Sequence, residues 1–542
     1  MLARNLLLLV VVLAAVGGLR ASLFPQNTQT RKIHLYPGTT TEDEFRAVVR
    51  KVDDSFRKDW ESHGLTPAPR APDLAVARRL SLALTGSVPS LEEIRQFELH
   101  SESERLDGWA NHLLRDRRYS DYFADRLARA YVGTEDGPLL IYRKRRFNSW
   151  LSDQLHQNTP YGEMVRQMIA ARGLNTDQPA VNFIAAAYDD GKEKPDPEKL
   201  AIRVTRAFLG LRIDCAQCHD FKNPGDYEQI VWKQTDFQSL AAFFGQTRHI
   251  VTHISDNSEG EYAFEDRVNG SKHEIGVGVP FSPELMPEEG TRRERLAAWV
   301  TNPKNKAFSR ATVNRVWAMM FGRPLLKRVE SPTLDERGPA ALDILADDFA
   351  AHNHDLQRLI LLIASTEVFR LDSAAPFEIT EAHDEHWAAF PLSRLRPEQI
   401  IGSVIQAASV RTIDKNSQLF VRATRFFNEQ DFVTRYGDAD DDDFAKAHGT
   451  IPQRLLMMNG DLVDGKAKNE LLNASTQIAI FAPDDHAAVE IAYLCVFTRK
   501  PTPKESEHFV AKLAGMTGDA RRNYLADMYW VLFNSTEMSF NH

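Results

Sequence analysis

Signals that start and stop α-helices recur along most of this chain, and they constrain its fold more than any other feature of the sequence. Residues 41–60 begin with a capping-box pattern and continue with apolar residues at helical spacing. Residues 73–86 repeat the apolar spacing and end on a glycine, and Ser90 begins a further capping box. An Asp-Pro-Glu start predicts another helix over residues 197–211. We therefore predict a mainly α fold.

One region departs from this helical pattern. Between about residues 247 and 290, short runs of β-type residues alternate with Gly, Asn and Asp, which predicts strands joined by turns. These runs cover residues 249–253, 262–264 and 275–279. We predict two helical domains, at residues 40–246 and 290–542, joined by a short strand-bearing segment at residues 247–289.

The composition is that of an ordinary globular protein. Of 542 residues, 43% are hydrophobic and 26% are charged, which argues against a disordered chain, a coiled-coil rod and a protein with many membrane spans. The formal net charge is −9, and nucleic acids are bound by basic surfaces, so we expect no nucleic-acid partner. Three cysteines are too few for a scaffold that is built from disulfides.

The N-terminal residues predict export. Arg4 precedes an apolar run at residues 6–16, which is short for a membrane span of about 20 residues and fits the core of a secretory signal. Ala15 and Gly17 are small residues at the spacing that a signal peptidase requires. A buried N-terminal helix is the alternative, but no polar residue interrupts the run to give it a second face. We predict that residues 1–21 are a signal peptide or an N-terminal anchor. The protein is then periplasmic or at the cell surface, and it touches the membrane only if this segment is not cleaved.

Two of the three cysteines form the motif C-x-x-C-H, as Cys215, Cys218 and His219. This spacing is that of a covalently attached c-type haem, in which two thiols bond to the porphyrin and the histidine binds iron. A thioredoxin-like redox pair would have a strand before the motif, whereas a helix is predicted here. Zinc would need two further ligands, for which His249 and His253 are candidates. A local disulfide is the remaining alternative.

Other sequence elements accompany this motif in a characteristic order. In the first half they are residues 78–90, 113–119, 150–154, 160–161, 208–210, 215–220 and 240–244. In the second half they are residues 295–299, 313–317, 321–323, 359–370, 394–400, 453–463 and 498–503. In these elements the chain resembles the planctomycete exported proteins of unknown function, which pair a cytochrome-c-type (PSCyt) domain with a planctomycete-specific (PSD) domain. The resemblance covers about residues 70–540. It implies an exported, mostly helical protein with a cytochrome-like motif, and it implies no known reaction.

The chain departs from this family pattern at two places. The family usually continues the motif as C-x-x-C-H-x-H-P, but Phe221 and Lys222 replace the second His and the Pro. The family element W-x-H-x-F-G has Met319 where His is usual. Haem iron commonly takes His or Met as its second axial ligand, so Met319 or Met320 is a candidate ligand. Core filling by this Met pair, which lies beside aromatic residues, is the alternative.

The remaining candidate sites are weaker. The aspartates at residues 438–443 lack the spacing of an EF-hand, so we predict a solvated loop, with a cation or basic-partner site as the alternative. His383 and His386 could lie on one helical face, but adjacent aromatic residues indicate a packed boundary. The histidines of residues 352–354 are predicted to cap a turn between helices, and Cys495 is predicted to be a buried thiol.

The function that these residues favour is that of a mono-haem c-type protein with an electron-transfer or redox role. Cys215 and Cys218 would hold haem c, and His219 would bind the iron. One alternative is a non-haem periplasmic or surface binding protein whose C-x-x-C is a structural disulfide. Another is an accessory protein in extracellular polymer breakdown. Hydrolase, NTPase and dinucleotide motifs are absent from the sequence, so enzymatic activity stays open. We expect a redox or surface protein partner, whose identity no residue indicates.

Overall fold

The computed structural model describes most of the chain. It covers residues 42–133, 144–188, 195–223, 226–250, 253–257, 261–265, 270–334, 336–414 and 450–542. The signal segment predicted at residues 1–21 and the acidic loop predicted at residues 438–443 lie outside the described residues.

The protein is mainly α-helical, as predicted. The helices of the first half are α1 (Glu42–His63), α2 (Asp73–Thr85), α3 (Leu91–Glu98), α4 (Arg105–Arg115), α5 (Arg117–Val132), α6 (Lys144–His156), α7 (Tyr161–Ala170), α8 (Asn182–Ala185), α9 (Pro197–Leu209) and α10 (Gln234–Ala241). Those of the second half are α11 (Arg292–Val300), α12 (Lys306–Phe321), α13 (Ala340–Ala351), α14 (Leu356–Ser365), α15 (Glu367–Arg370), α16 (Glu381–Glu385), α17 (Pro397–Ala407), α18 (Ile451–Asn459), α19 (Asp461–Ala467), α20 (Ala474–Phe481), α21 (Asp485–Phe497), α22 (Pro503–Leu513) and α23 (Gly518–Phe533).

The strands are short and pair antiparallel. They are β1 (Gly173–Leu174), β2 (Phe221–Asn223), β3 (Asp226–Trp232), β4 (Thr247–Ile250), β5 (His253–Asp256), β6 (Ala263–Glu265), β7 (Lys272–Glu274), β8 (Ser393–Arg394) and β9 (Phe540–Asn541). One sheet has the order β1-β5-β4, and the other strands form the pairs β2–β3, β6–β7 and β8–β9. The predicted strand-bearing segment is therefore present between the two helical domains.

Part of the strand prediction is wrong. Residues 275–279 are not a strand but an irregular segment directly after β7, and three of their apolar side chains pack on the main core. Packing of these side chains accounts for their β-type pattern without any strand partner. The β2–β3 pair, directly after the C-x-x-C-H motif, was not predicted.

Hydrogen bonds and glycine conformations at the helix ends show how the predicted start and stop signals work. The Ser90 hydroxyl accepts a hydrogen bond from the Glu93 amide (3.0 Å), and the Glu93 carboxylate accepts one from the Ser90 amide (2.9 Å). Gly86 follows α2 with φ of 68°, a left-handed conformation that glycine adopts without steric cost. Gly210 ends α9 in the same way with φ of 62°, so this helix stops at Leu209, two residues earlier than predicted.

Two hydrophobic cores hold the described residues together, and both draw on each half of the chain. The main core runs from Val52 to Phe390, and Phe56 of α1 stacks on Trp317 of α12 with ring centroids 6.0 Å apart. The second core joins the C-terminal helices to residues of α2 and α3 such as Leu82. Burial of such large apolar side chains contributes about 1.5–3 kcal/mol each, so the two helical domains stabilise one another. Among the described residues, no helix is both long enough and apolar enough to cross a membrane.

Candidate functional site

The C-x-x-C-H motif lies just beyond the end of α9, where the first helical domain meets the second. A Cβ on Gly210 would meet the Ala311 Cβ of α12 at 3.0 Å, so the two helices approach closely here. The Ser331 amide donates a hydrogen bond to the Gly210 carbonyl (2.7 Å), and the Arg212 amide donates one to the Ser331 carbonyl (2.8 Å). Two backbone hydrogen bonds to Ser331 therefore hold the segment before the motif against the second helical domain.

The motif itself is a single turn of 3-10 helix at Asp214–Gln217. Ala216 is fully buried between the two cysteines, and Ile213 is buried just before them. These two apolar side chains fasten the turn to the core. As a result Cys215 is exposed and Cys218 is half-buried, and His219, directly after them, is also exposed.

Polar contacts from α10 hold the turn from the other side. The Gln217 carbonyl accepts hydrogen bonds from the side-chain amides of Gln234 (3.3 Å) and Gln238 (3.2 Å). The Gln217 side chain in turn donates to the Glu198 carboxylate, which also accepts from Gln238 (2.9 Å). The Gln234 backbone amide donates a hydrogen bond to the Asp220 carboxylate (2.8 Å), so the residue after His219 is held as well. The backbone on both sides of the ligand residues is thus anchored.

The His219 ring is oriented by its own backbone neighbour. Its Nδ1 lies 2.9 Å from the Asp220 carbonyl oxygen. A carbonyl can only accept a hydrogen bond, so Nδ1 is the donor, and in the neutral ring Nε2 then has the lone pair. Histidines that bind metals through Nε2 commonly have this arrangement.

The residues that replace the family's second His and Pro begin β2. Phe221 pairs with Trp232 and Lys222 pairs with Ile230 across the β2–β3 hairpin. Phe221 packs partly on the main core, and Lys222 is exposed. The chain therefore leaves the motif in a strand pair, whereas a thioredoxin-like motif would continue into a helix.

Met319 is buried in the main core, 5% exposed. α9 and α12 run antiparallel, because Gly210 adjoins Ala311 while the Arg315 guanidinium donates to the Arg206 carbonyl (3.1 Å). Met319 lies eight residues beyond Ala311, about 12 Å further along α12 toward the start of α9. The motif follows the opposite end of α9. The structure does not bring Met319 to the motif, and its burial agrees with the core-filling alternative.

Two family models match the chain. PSCyt2, a protein of unknown function (DUF1549), matches residues 51–249, and PSD1, a protein of unknown function (DUF1553), matches residues 292–513. The chain belongs to the family that pairs these two domains. The predicted pairing of a PSCyt domain with a following PSD domain is confirmed. Comparisons with curated proteins and with solved structures gave no match.

The alternatives to haem at the PSCyt2 motif are a disulfide and a zinc site. Cys215 and Cys218 are free thiols and are not joined to each other. Among the described residues, two groups of His, Cys, Asp and Glu side chains are close enough to hold a metal ion, and neither includes a motif residue, His249 or His253. These two histidines instead lie on the β4–β5 hairpin, where the His249 ring lies tilted against the Tyr188 ring with centroids 5.1 Å apart.

A cleft of about 1030 Å³ lies between the PSCyt2 and PSD1 domains, and Leu211 in its wall precedes Cys215 by four residues. Its walls are the end of α9, the N-terminus of α12 and residues 326–343. It is lined by four basic side chains, Lys304, Lys306, Arg310 and Arg337, and by two acidic ones, Glu336 and Asp343. The α12 N-terminus has no side-chain cap, so its free amides add positive potential to the cleft.

The other candidate residues have structural roles or new partners. Cys495 is a buried thiol, as predicted, and burial raises its pKa to about 11. His354 lies in the turn between α13 and α14, where burial lowers its pKa to about 4. His383 and His386 do not converge, because α16 ends between them: His383 bonds to Thr380, and His386 contacts Asp59. The Asp59 contact was missed, although His63 and Asp59 at helical i, i+4 spacing were a partial signal.

Proposed function

We propose that this PSCyt2–PSD1 protein is a c-type haem protein with a one-electron redox role. The observation that carries the proposal is the arrangement of the motif on one anchored surface turn. Both thiols reach the surface from that turn as free groups, and the His219 Nε2 beside them has its lone pair available. These are the three groups that a covalently attached haem requires.

The residues present fit attachment of the porphyrin. Each cysteine thiol would add across one vinyl group, with sulfur bonding to one carbon and the thiol hydrogen going to the other, so that no oxidant is needed. The His219 Nε2 would bind iron from one side, with its ring held by the Asp220 carbonyl. When bound, haem c supplies reversible one-electron chemistry at iron.

The second axial position is where this chain differs from its family. With Phe221 and Lys222 in a strand pair, the motif provides no second histidine. Among the motif residues, His219 would therefore be the one side chain that binds the haem iron. Solvent exposure and the axial ligand are two of the factors that set a haem reduction potential.

Location and partners follow from the same proposal. The apolar run at residues 6–16 supports export, and haem attachment through thiols takes place outside the cytoplasm. We propose a periplasmic or cell-surface redox protein with a protein partner as electron donor or acceptor. Detection of the chain in the cytoplasmic fraction of its native host would contradict this location.

The proposal is tested by making the full chain in a host with cytochrome c maturation. We expect haem absorption that stays with the chain after denaturation, at one haem per chain. Replacing Cys215 and Cys218 with serine should abolish the retained haem, whereas Cys495→Ala, which removes the buried thiol, should leave it unchanged. A wild-type chain without a Soret band, or haem that is lost on denaturation, would overturn the proposal.

A second candidate is a binding protein for anionic ligands, which the charged cleft favours. Arg310 pairs with Asp343, and the Glu336 carboxylate accepts from the Lys327 amide (3.3 Å), so both acidic groups are engaged. Lys304 and Arg337 make no ion pair within the described part of the chain. Two basic groups and the α12 N-terminus are thus available to a phosphate, sulfate or carboxylate group.

This second candidate has its own test. Inorganic phosphate and a sulfated oligosaccharide serve as probes, with binding followed by calorimetry. The double variant Lys304→Ala/Arg337→Ala should weaken binding by about 10-fold, a loss of about 1.4 kcal/mol. The matched control, Lys504→Ala/Lys512→Ala on exposed α22, should bind as wild type. Equal binding by both double variants, or none by wild type, would exclude the cleft.

A further inference from the structure

We propose that Asp59, His63 and His386 form a binding site for a divalent transition-metal ion, with Zn²⁺ as the reference ion. These three residues are called the Asp59 group below. Asp59 and His63 lie in the PSCyt2 domain and His386 lies in the PSD1 domain, so the ion would join the two domains. The proposal goes beyond the haem function and does not depend on it.

The ligand atoms of the Asp59 group already lie close together. One from each residue can be chosen so that all three are within 4.8 Å of one another. His386 Nδ1 lies 2.8 Å from Asp59 Oδ2. His63 Nδ1 lies 3.4 Å from Asp59 Oδ1 and 2.8 Å from the Asp59 backbone carbonyl oxygen, a hydrogen bond that this ring would give up on binding a metal ion through Nδ1. Ligand atoms around tetrahedral zinc lie about 3.4 Å apart, so small side-chain movements suffice.

The two imidazoles face each other at short range. Their ring centroids are 3.8 Å apart, and the rings are tilted by 35°. Within the described residues, Asp59 forms ion-pair contacts with these two rings alone. When both rings are neutral the group has one negative charge, which favours a cation between the three side chains.

The backbone of the site is held by buried aromatic residues. The Trp60 indole, directly after Asp59, donates a hydrogen bond to the His386 carbonyl (2.9 Å). Trp387, directly after His386, is buried with φ of 57°, and the Arg323 guanidinium lies 4.0 Å over its ring. A left-handed backbone at such a bulky residue is uncommon and fixes the direction of the chain at His386. The ligands therefore come from the rigid ends of α1 and α16.

The ligand chemistry selects the class of ion. Two imidazoles and one carboxylate suit zinc and similar transition metals, whereas calcium and magnesium prefer oxygen ligands alone. Three protein ligands leave one tetrahedral position for water or a small ligand. The Asp59, His63 and His386 side chains are 39%, 47% and 25% exposed, so an ion can enter from solvent.

A second group of potential metal ligands differs from the Asp59 group because its carboxylates already pair with an arginine. Glu93, His112 and Asp116 also have ligand atoms within 4.8 Å of one another. The Arg118 guanidinium, however, bonds to Glu93 and lies 2.8 Å from Asp116 Oδ2. A fixed cation already satisfies these carboxylates, so we expect no metal ion there. In the described parts of the chain, no Arg or Lys side chain forms an ion pair with Asp59.

The test is titration of the full chain with Zn²⁺ and with Co²⁺. We expect one ion per chain and a Co²⁺ spectrum of nitrogen and oxygen ligands, without a thiolate charge-transfer band. Asp59→Asn, His63→Ala and His386→Ala should each weaken binding by about 10-fold or more. The control His112→Ala, in the group that Arg118 fills, should bind as wild type.

Several outcomes would overturn the metal proposal and leave the haem proposal intact. One is wild-type protein that binds no Zn²⁺, and another is binding that is lost in the Cys215→Ser/Cys218→Ser variant. A third is His63→Ala that binds as wild type. The His63 side chain is nearly half exposed, so this variant folds even if His386→Ala does not. Circular dichroism of the metal-free variants verifies their fold.

Discussion

The two ligand sets of this molecule are built in opposite ways. Cys215, Cys218 and His219 lie within five consecutive residues on one surface turn, whereas His386 reaches Asp59 across 327 chain positions. The first set needs only one local backbone conformation. The second exists only when the PSCyt2 and PSD1 domains pack together. The C-x-x-C-H motif therefore gives little information about the fold around it. The Asp59 group, by contrast, forms only when the two domains are packed as in this structure.

The largest expected effect is the complete loss of covalent haem without a change in Zn²⁺ binding. Changing Cys215 and Cys218 to serine should remove all covalent haem, because no thiol remains at the turn. Zn²⁺ affinity should stay as in wild type, since the Asp59 group contains no sulfur. Haem content after denaturation and Zn²⁺ titration of the same preparation measure both. Joint loss of haem and Zn²⁺ binding would show that the two sets are one site.

A second prediction concerns Glu93, His112 and Asp116, the group whose carboxylates pair with Arg118. Glu93→Gln should lower the free energy of unfolding by about 3 kcal/mol, because buried Arg118 loses one of its two carboxylate partners. The control His112→Ala should cost less than about 1 kcal/mol, since this ring is about half exposed. Urea unfolding measures both. Equal costs would mean that the guanidinium is not what stabilises the group.

The same pair predicts a dependence of stability on pH. Burial raises the pKa of the Glu93 carboxyl, but contacts with His112, Arg118 and the Ser90 amide outweigh burial and lower it to about 2 from 4.5. The unfolded chain therefore binds the extra proton first on acidification. The stability that the pair contributes is complete above pH 4.5 and is lost as the pH falls toward 2. Unfolding at pH 6 and pH 3 should show a smaller loss for Glu93→Gln than for wild type.

A third prediction uses the metal as a link between the domains. An ion that binds only the folded protein stabilises it by about 2.7 kcal/mol at 100 times its dissociation constant. Zn²⁺ should therefore raise the thermal unfolding midpoint of wild type and of His112→Ala. His386→Ala, which removes the PSD1 ligand, should show a clearly smaller rise at the same Zn²⁺ concentration, about half or less, because its binding is weaker by 10-fold or more. An equal rise in His386→Ala would place the ion elsewhere.

The smallest expected effect is at Met319. Met319→Leu conserves volume in the core and should cost less than about 1.5 kcal/mol. The haem absorption bands should not change, because Met319 lies toward the opposite end of α9 from the motif. A shift of the low-spin bands in this variant would instead establish Met319 as an axial ligand.

Much of the fold could be predicted from local signals. Ser90 and Glu93 form the predicted capping box, and Gly86 ends its helix as the glycine signal indicates, whereas Gly210 ends α9 two residues before the predicted end. Such signals act within a few residues, so a sequence contains them in full. The pattern of residues 275–279 predicts a strand that the structure does not have, because packing on a core and pairing in a sheet select similar residues.

The candidate sites differ in the same way: one is local in the sequence, and the other is assembled by the fold. The spacing of Cys215, Cys218 and His219 was visible in the sequence, and so was the departure at Phe221. The contact of His386 with Asp59 was not, because it depends on the packing of α1 against residues some 300 positions away. The sequence allowed His383 and His386 to share one helical face, but α16 ends between them and they do not.

The most direct test of the central claim is the intact mass of the denatured full chain, made in a host with cytochrome c maturation. The account predicts a chain heavier by one haem, and a Cys215→Ser/Cys218→Ser chain without that increment. A wild-type chain at the mass of the apoprotein would contradict it. An apoprotein mass that is lower by two hydrogens would show that the two thiols form a disulfide instead.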